Sequence, residues 1–188
     1  MTRVAIYGGS FDPPTLGHAM VVSHLLLNEP AIDKVLIVPC FKQTGKVLAP
    51  FHHRMAMCRY AFDWLPRIEI SYVESSIGGV SITSRTIQCL YDCNPNWEMR
   101  FVIGGDLRES IKTWEGYDVI KELAPPLEVG RAGISHENGP TPICPLVSST
   151  IVRTALAEGN FHKAERYIPA KVLSHIIDNG LYRKEAET

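Results

Sequence analysis

The run Gly8-Gly9-Ser10-Phe11-Asp12-Pro13-Pro14-Thr15-Leu16-Gly17-His18 carries the strongest chemical signal in the chain. Two adjacent glycines let backbone approach a ligand closely, so the N–H groups of Gly8, Gly9, Ser10 and Phe11 can face phosphate oxygens. A helix starting after the run adds its positive N-terminal end, which stabilises an exposed anionic group by about 0.3–1 kcal/mol. Thr15 and His18 are three apart, so a first helical turn sets both on one face. Thr15 can donate a hydroxyl proton. His18 can donate an N–H to a phosphate oxygen that gains charge in a transition state. The pattern is not the dinucleotide fingerprint G-x-G-x-x-G, because the second glycine follows directly. Nor is it a Walker A loop, which needs Gly-Lys-Ser/Thr.

Two further runs offer matching chemistry. Ser148-Ser149-Thr150-Ile151-Val152-Arg153 places hydroxyls just before a helical stretch, as an N-cap requires. Arg153 lies four after Ser149 and returns to the same face, where its planar fork of donors suits phosphate. Gly104-Gly105-Asp106 follows an apolar strand; the glycines let a base or ribose pack on backbone, and Asp106 can accept from ribose hydroxyls. Asp12 is open to two roles, a supporting carboxylate at the site or a structural cap.

These runs, in this order, resemble the T/H-x-G-H nucleotidyltransferases. The first resembles their G-x-F-D-P-x-(H/T)-x-G-H signature, the second their I-S-S-T-x-I-R motif with Val147 and Val152 for the isoleucines, the third their G-x-D. Within that superfamily the chain resembles the nicotinate (nicotinamide) mononucleotide adenylyltransferase family from Val4 to Tyr182. Trp114 beyond the aspartate, Arg54 with Met57 behind it, and Gly180-Leu181-Tyr182 carry that likeness. The resemblance implies transfer of AMP from ATP to nicotinate mononucleotide, or nicotinamide mononucleotide, with release of pyrophosphate. It implies catalysis by His18, Thr15 and Arg153. ATP would be bound by Gly8, Gly9, Ser10, Phe11, His18, Gly104, Asp106, Ser148, Ser149, Thr150 and Arg153. The acceptor would be bound by Lys42 or Lys46, Thr83, Trp114 and Arg131. Mg²⁺ would be held mainly by substrate phosphates, without a dedicated protein metal site.

The sequence departs from that family in places. Thr15 stands where the family usually has histidine, and threonine there is more familiar from phosphopantetheine adenylyltransferases. Ser81-Ile82-Thr83 replaces Ser-Tyr-Thr, Arg85 replaces an acidic residue, and Ala132 replaces a proline. Phosphopantetheine adenylyltransferase and a nucleotide-sensing module without turnover are therefore the alternatives.

Positioning these residues requires alternating elements. Strands are expected at residues 3–7, 34–38, 67–72, 99–103, 127–129 and 143–146. Helices are expected at 18–28, 51–64, 83–91, 107–112, 117–123, 149–158 and 169–178. Strand–helix alternation predicts an α/β fold, a Rossmann-like doubly wound parallel sheet with helices on both faces. Ligands in such sheets sit beyond the carboxyl ends of the strands, where all three runs fall. Residues 1–183 are expected to form a single nucleotidyltransferase domain, with a polar tail at 184–188. The Gly- and Pro-containing stretch 134–142 reads as a lid or a surface loop.

The chain of 188 residues has 45% hydrophobic and 21% charged residues and a net charge of −1, which excludes a strongly basic nucleic-acid binder. ATP and a mononucleotide are the expected partners, with no nucleic-acid polymer, no membrane and a possible homo-oligomer. Five cysteines, none in C-x-x-C spacing, read as reduced thiols of a cytoplasmic protein. No stretch is long and apolar enough for a transmembrane helix.

Overall fold

A computed structural model of the chain describes residues 1–131, 142–144 and 147–183, the side chains of 131 and 142–144 excepted. Its strands are β1 (Thr2–Gly9), β2 (Lys34–Pro39), β3 (Ile68–Ile70), β4 (Trp97–Gly104), β5 (Pro126–Arg131) and β6 (Pro142–Cys144). Its helices are α1 (Leu16–Asn28), α2 (Phe51–Phe62), α3 (Val73–Ile77), α4 (Thr83–Cys93), α5 (Tyr117–Leu123), α6 (Ser149–Ala157), α7 (Phe161–Ala164) and α8 (Ala170–Asp178). The sheet order is β3-β2-β1-β4-β5-β6 and the pairings are parallel, with a register shift at Gly130/Arg131. This is the expected Rossmann-like fold.

The near-continuous apolar runs in β1, β2 and β4 follow from burial on both faces. Ala5, Val35, Ile37 and Val102 point into a core covered by α1, α2, α6 and α8. Val4, Ile6, Leu36, Val38, Met99, Phe101 and Ile103 point into the opposite core under α4 and α5. Burying each such Val, Leu or Ile chain contributes about 1.5–3 kcal/mol. The chain therefore builds outward from β1 to β3 along one face. It then crosses back and inserts β4 on the other side of β1. The order reverses between β1 and β4, and there the carboxyl ends of adjacent strands open a crevice.

Several elements differ from expectation. The third strand is only three residues long; Ser71 still donates to Ile37, and Val73 then opens the unforeseen α3. The helix expected at 107–112 is instead two 3₁₀ turns, Gly105–Leu107 and Ser110–Thr113. The four-residue α7 was too short for any periodicity to reveal. In α1 the buried stripe is Val21, Val22, Leu25 and Leu26, while Met20 and Leu27 are exposed. That helix is apolar nearly all round, so spacing alone could not fix its inward face. Most of the 134–142 stretch, Ala132, residues 145 and 146 of the last expected strand, and the 184–188 tail lie outside the described residues. No described helix is long and apolar enough to cross a membrane.

Candidate active site

The glycine run occupies the crevice. A Cβ on Gly8 would sit 3.3 Å from the Phe101 ring, and one on Gly9 would sit 3.3 Å from the Phe11 ring, so both positions are tight for any side chain. Phe11 takes φ 45°, which turns the chain sharply and drives its ring into the core against Tyr7, His18 and Phe62. Phe11 can thus meet a ligand only through its backbone.

Thr15 caps α1, and the cap fixes the chemistry of His18. The Thr15 N–H donates to His18 Nδ1 at 2.9 Å, and Thr15 Oγ1 lies 2.8 Å from the same nitrogen. The His18 N–H in turn meets Thr15 Oγ1 at 3.4 Å, completing a reciprocal capping box. An accepting Nδ1 puts the ring proton on Nε2, which makes that nitrogen the ring's donor. Thr15 is fully buried, orients His18 and holds the helix start, and both residues line the adjoining cavity.

The loop between Phe11 and Thr15 is held from several sides. Asp12, 1% exposed, accepts at Oδ1 from the Tyr182 hydroxyl at 2.6 Å and from the Ala49 N–H at 3.2 Å. Its carboxylate is therefore a structural anchor. Burial, and then the Asp12 carboxylate, push the Tyr182 hydroxyl pKa well up, so it stays a donor. Arg153 donates to the Asp12 carbonyl at 2.7 Å and to Thr150 Oγ1 at 3.2 Å. The Ser149 hydroxyl donates to the Pro13 carbonyl at 2.8 Å, and Ser148 caps α6 by accepting from the Ile151 N–H. The second motif thus clamps the first, and its N-cap is Ser148.

Arg54 does the same from α2. Its guanidinium is 1% exposed and donates to four carbonyls, those of Ala49, Ser10, Cys40 and Phe41. It ties the ends of β1 and β2 to the turn before α2. The sequence signal was an arginine at the start of the buried stripe of α2, just before Met55, Met57 and Cys58.

Three cavities surround this loop. One, of about 200 Å³, is lined by Gly17, His18, Gly104, Asp106 and Val129. A Cβ on Gly104 would collide with Asp106 Oδ1, so glycine keeps that wall open. A second, of about 310 Å³, is lined by Gly9, Ser10, Glu74, Thr83 and Trp114. Gly8 and Leu107 line both, so these two spaces meet at the crevice. Trp114 leans edge-on to Phe101 with ring centroids 6.2 Å apart. The third, of about 200 Å³, is lined by Ser10, Lys46, Ser149, Thr150 and Arg153.

Lys46 and Arg153 line this third cavity together; Lys42 lies in a neighbouring recess with Phe41 and Phe51, which Lys46 also lines. Arg85 is exposed on the outer face of α4 beside Cys89 and Cys93, away from Trp114. Arg131 ends β5 beside this region, and its side chain lies outside the described residues. Cys40 lines the second cavity, and burial pushes its thiol pKa up, as it does for Cys58. Glu74 and the anchoring role of Tyr182 were not foreseen. Nothing in the sequence around Glu74 marks it as an inward-facing carboxylate.

A family model described as Cytidylyltransferase-like matches residues 6–155. A Bacillus subtilis (strain 168) protein named nicotinate-nucleotide adenylyltransferase is 30% identical over 192 residues, covering 97% of this chain and 99% of its own. An Anaeromyxobacter dehalogenans (strain 2CP-C) protein named "Probable nicotinate-nucleotide adenylyltransferase" is 33% identical over 185 residues, covering 96% of this chain and 97% of its own. A solved structure of Plasmodium falciparum nicotinic acid mononucleotide adenylyltransferase complexed with NaAD matches with a TM-score of 0.84. It is 24% identical over 97% of this chain and 98% of that one, which is a likeness of fold.

Proposed function

The chain belongs to the cytidylyltransferase-like family, and we propose that within it this protein transfers the AMP part of MgATP to a pyridine mononucleotide, with nicotinate mononucleotide as the leading acceptor. One observation carries the reading: two cavities of nucleotide-fragment size meet at Gly8, beside a histidine whose donor nitrogen is fixed. The names of the near-full-length relatives support the choice of reaction and acceptor. Residues 1–183 act as one nucleotidyltransferase domain.

In this reading the adenosine lies along Gly104 and Asp106. The triphosphate crosses the backbone amides of Gly8 to Phe11. A 5′-phosphate oxygen of the acceptor attacks the α-phosphorus in line. The bond from that phosphorus to the bridging oxygen breaks, and pyrophosphate leaves. His18 Nε2–H donates to a phosphate oxygen as charge builds, with Thr15 holding the ring's tautomer. Ser149, Thr150, Arg153 and Lys46 line a space that suits the leaving pyrophosphate, which supports Lys46 as the phosphate-binding lysine ahead of Lys42. No covalent intermediate is needed, so the rate comes from positioning and electrostatics. Asp12 accepts from Tyr182 and Ala49. Magnesium would enter on the phosphates as part of the substrate, because it keeps several waters and binds readily to phosphate oxygens.

The test is pyrophosphate release with ATP and Mg²⁺, offering nicotinate mononucleotide, nicotinamide mononucleotide and phosphopantetheine in parallel. Release with a pyridine mononucleotide and formation of the dinucleotide is the expected result. Release with phosphopantetheine alone overturns the acceptor. ATP binding without release from any of them overturns catalysis.

A further inference from the structure

The chain leaving β2 is held by a serine that the proposed chemistry does not use. Ser81 Oγ accepts from the Phe41 N–H at 2.8 Å and from the Lys42 N–H at 3.3 Å, and the Ser81 N–H donates to the Lys42 carbonyl at 2.9 Å. A hydroxyl oxygen has two acceptor lone pairs, so these amides fill both. The Cys40 N–H meets the Gly9 carbonyl, and Arg54 serves the Cys40 and Phe41 carbonyls. Every backbone polar group of Cys40, Phe41 and Lys42 thus has a protein partner, and Ser81 supplies those that β1 and Arg54 do not. From Gln43 to Val47 the chain forms an exposed arch, closed on itself by the Lys46 N–H donating to the Gln43 carbonyl at 3.4 Å. Its far end is fastened at Ala49, whose N–H meets Asp12 and whose carbonyl meets Arg54.

Ser81 therefore joins two walls of one space. Cys40 and Gln43 line the second cavity from the β2 side, and Ser81 and Thr83 line it from the start of α4. None of these four lines the cavity beside Gly104 and Asp106. Without the hydroxyl, the Phe41 and Lys42 amides lose their acceptor, and the arch pivots at its near end with Gln43 and Lys46 on it. In a reaction that runs on positioning, a displacement of about 1 Å can cost about 10²-fold. We infer that Ser81 is a positioning residue for the acceptor: its hydroxyl sets the spacing between the β2 and α4 walls and the place from which Gln43 and Lys46 line their cavities. It acts through the arch rather than on a reacting atom. The inference rests on the adenylyl-transfer reading above, with the acceptor in the second cavity.

Ser81→Ala removes the hydroxyl and Ser81→Thr restores it. The measurement is kcat, KM for nicotinate mononucleotide and KM for ATP, for wild type and both variants, with melting temperature checked in parallel. In Ser81→Ala the acceptor KM should rise about threefold or more, kcat should fall by a smaller factor, and the ATP KM should stay within about twofold. Ser81→Thr should bring the acceptor KM back to within about twofold of wild type. A smaller rise in acceptor KM, a parallel rise in both KM values, a larger fall in kcat, or no rescue by threonine overturns the inference while leaving adenylyl transfer intact. A second arm needs no variant. In wild type, the Phe41 amide should exchange its hydrogen about tenfold or more slowly than the exposed amides of Thr44 and Gly45. Exchange faster than that means the clasp is open, and the inference falls. Absence of wild-type turnover with nicotinate and nicotinamide mononucleotides would overturn the adenylyl-transfer reading, and this inference with it.

Discussion

Replacing Arg54 by lysine should unsettle the site without touching a substrate. The native guanidinium serves four carbonyls on three segments, at 2.7 to 3.0 Å. Lysine keeps the charge, but its three donors radiate from one nitrogen and reach less far. At least one charge-assisted bond is lost and a second weakened, each worth about 1.5–3 kcal/mol, so the expected destabilisation is about 2–4 kcal/mol. For a chain of this size that is a fall in melting temperature of about 4–16 °C. The carbonyls that go unmet include those of Ser10 and Cys40, residues that line the second cavity beside Thr83 and Trp114, where the proposed reaction would seat its acceptor. KM for the acceptor should therefore rise more than kcat falls. Thermal unfolding together with steady-state kinetics reads both effects. A melting temperature lowered by less than about 2 °C would refute the claim that this arginine holds the loops together.

Three other perturbations have defined outcomes. His18→Ala should lower turnover by about 10²–10³-fold, and destabilise by about 1 kcal/mol because the capping box goes with it; near-normal turnover would remove His18 from the chemistry. Tyr182→Phe should cost about 1.5–3 kcal/mol by leaving a buried Asp12 oxygen without its hydroxyl donor, read by urea unfolding. The Tyr182 pKa is raised in the fold, so the wild type should lose stability as pH climbs above the unfolded value of about 10. The phenylalanine variant should lack that added alkaline loss. The Arg3 guanidinium holds the Asp33 carboxyl down at about 2. Its contribution is present above the unfolded carboxylate value of about 3.9 and is lost as pH falls toward 2. The melting-temperature difference between wild type and Asp33→Asn should shrink across that window.

The parallel sheet was legible because β1, β2 and β4 are buried on both faces over Val4–Ile6, Val35–Val38 and Phe101–Ile103, which read as short apolar runs. The loop motifs were legible because the Gly8–His18 run, Gly104-Gly105-Asp106 and the Ser148–Arg153 run occur together and resemble the motifs of one family, where a glycine pair alone would read as a plain turn. Short elements such as α3 and α7 were not legible, since five or four residues carry no period. The division of labour within the motifs was also hidden. The serines read both as an N-cap and, with Thr15, as ligand contacts; Thr15 and Ser148 hydrogen-bond as caps and Ser149 holds the Pro13 carbonyl. A hydroxyl that holds backbone and a hydroxyl that holds phosphate leave the same letter in the sequence. Glu74 was invisible for a related reason: whether a carboxylate points inward depends on where α4 lies, and that is a tertiary fact.

The hydrogen bond from Tyr182 to Asp12 joins residues 170 positions apart. Synthesis runs from the amino end, so the phosphate-binding turn emerges first and its last fastening emerges almost at the finish. Until then a buried carboxylate lacks one of its two donors, and a nascent chain with its sheet complete still has an unfastened loop. A polypeptide cut short just before Tyr182 would keep most of its architecture while lacking the fastening of its phosphate-binding turn.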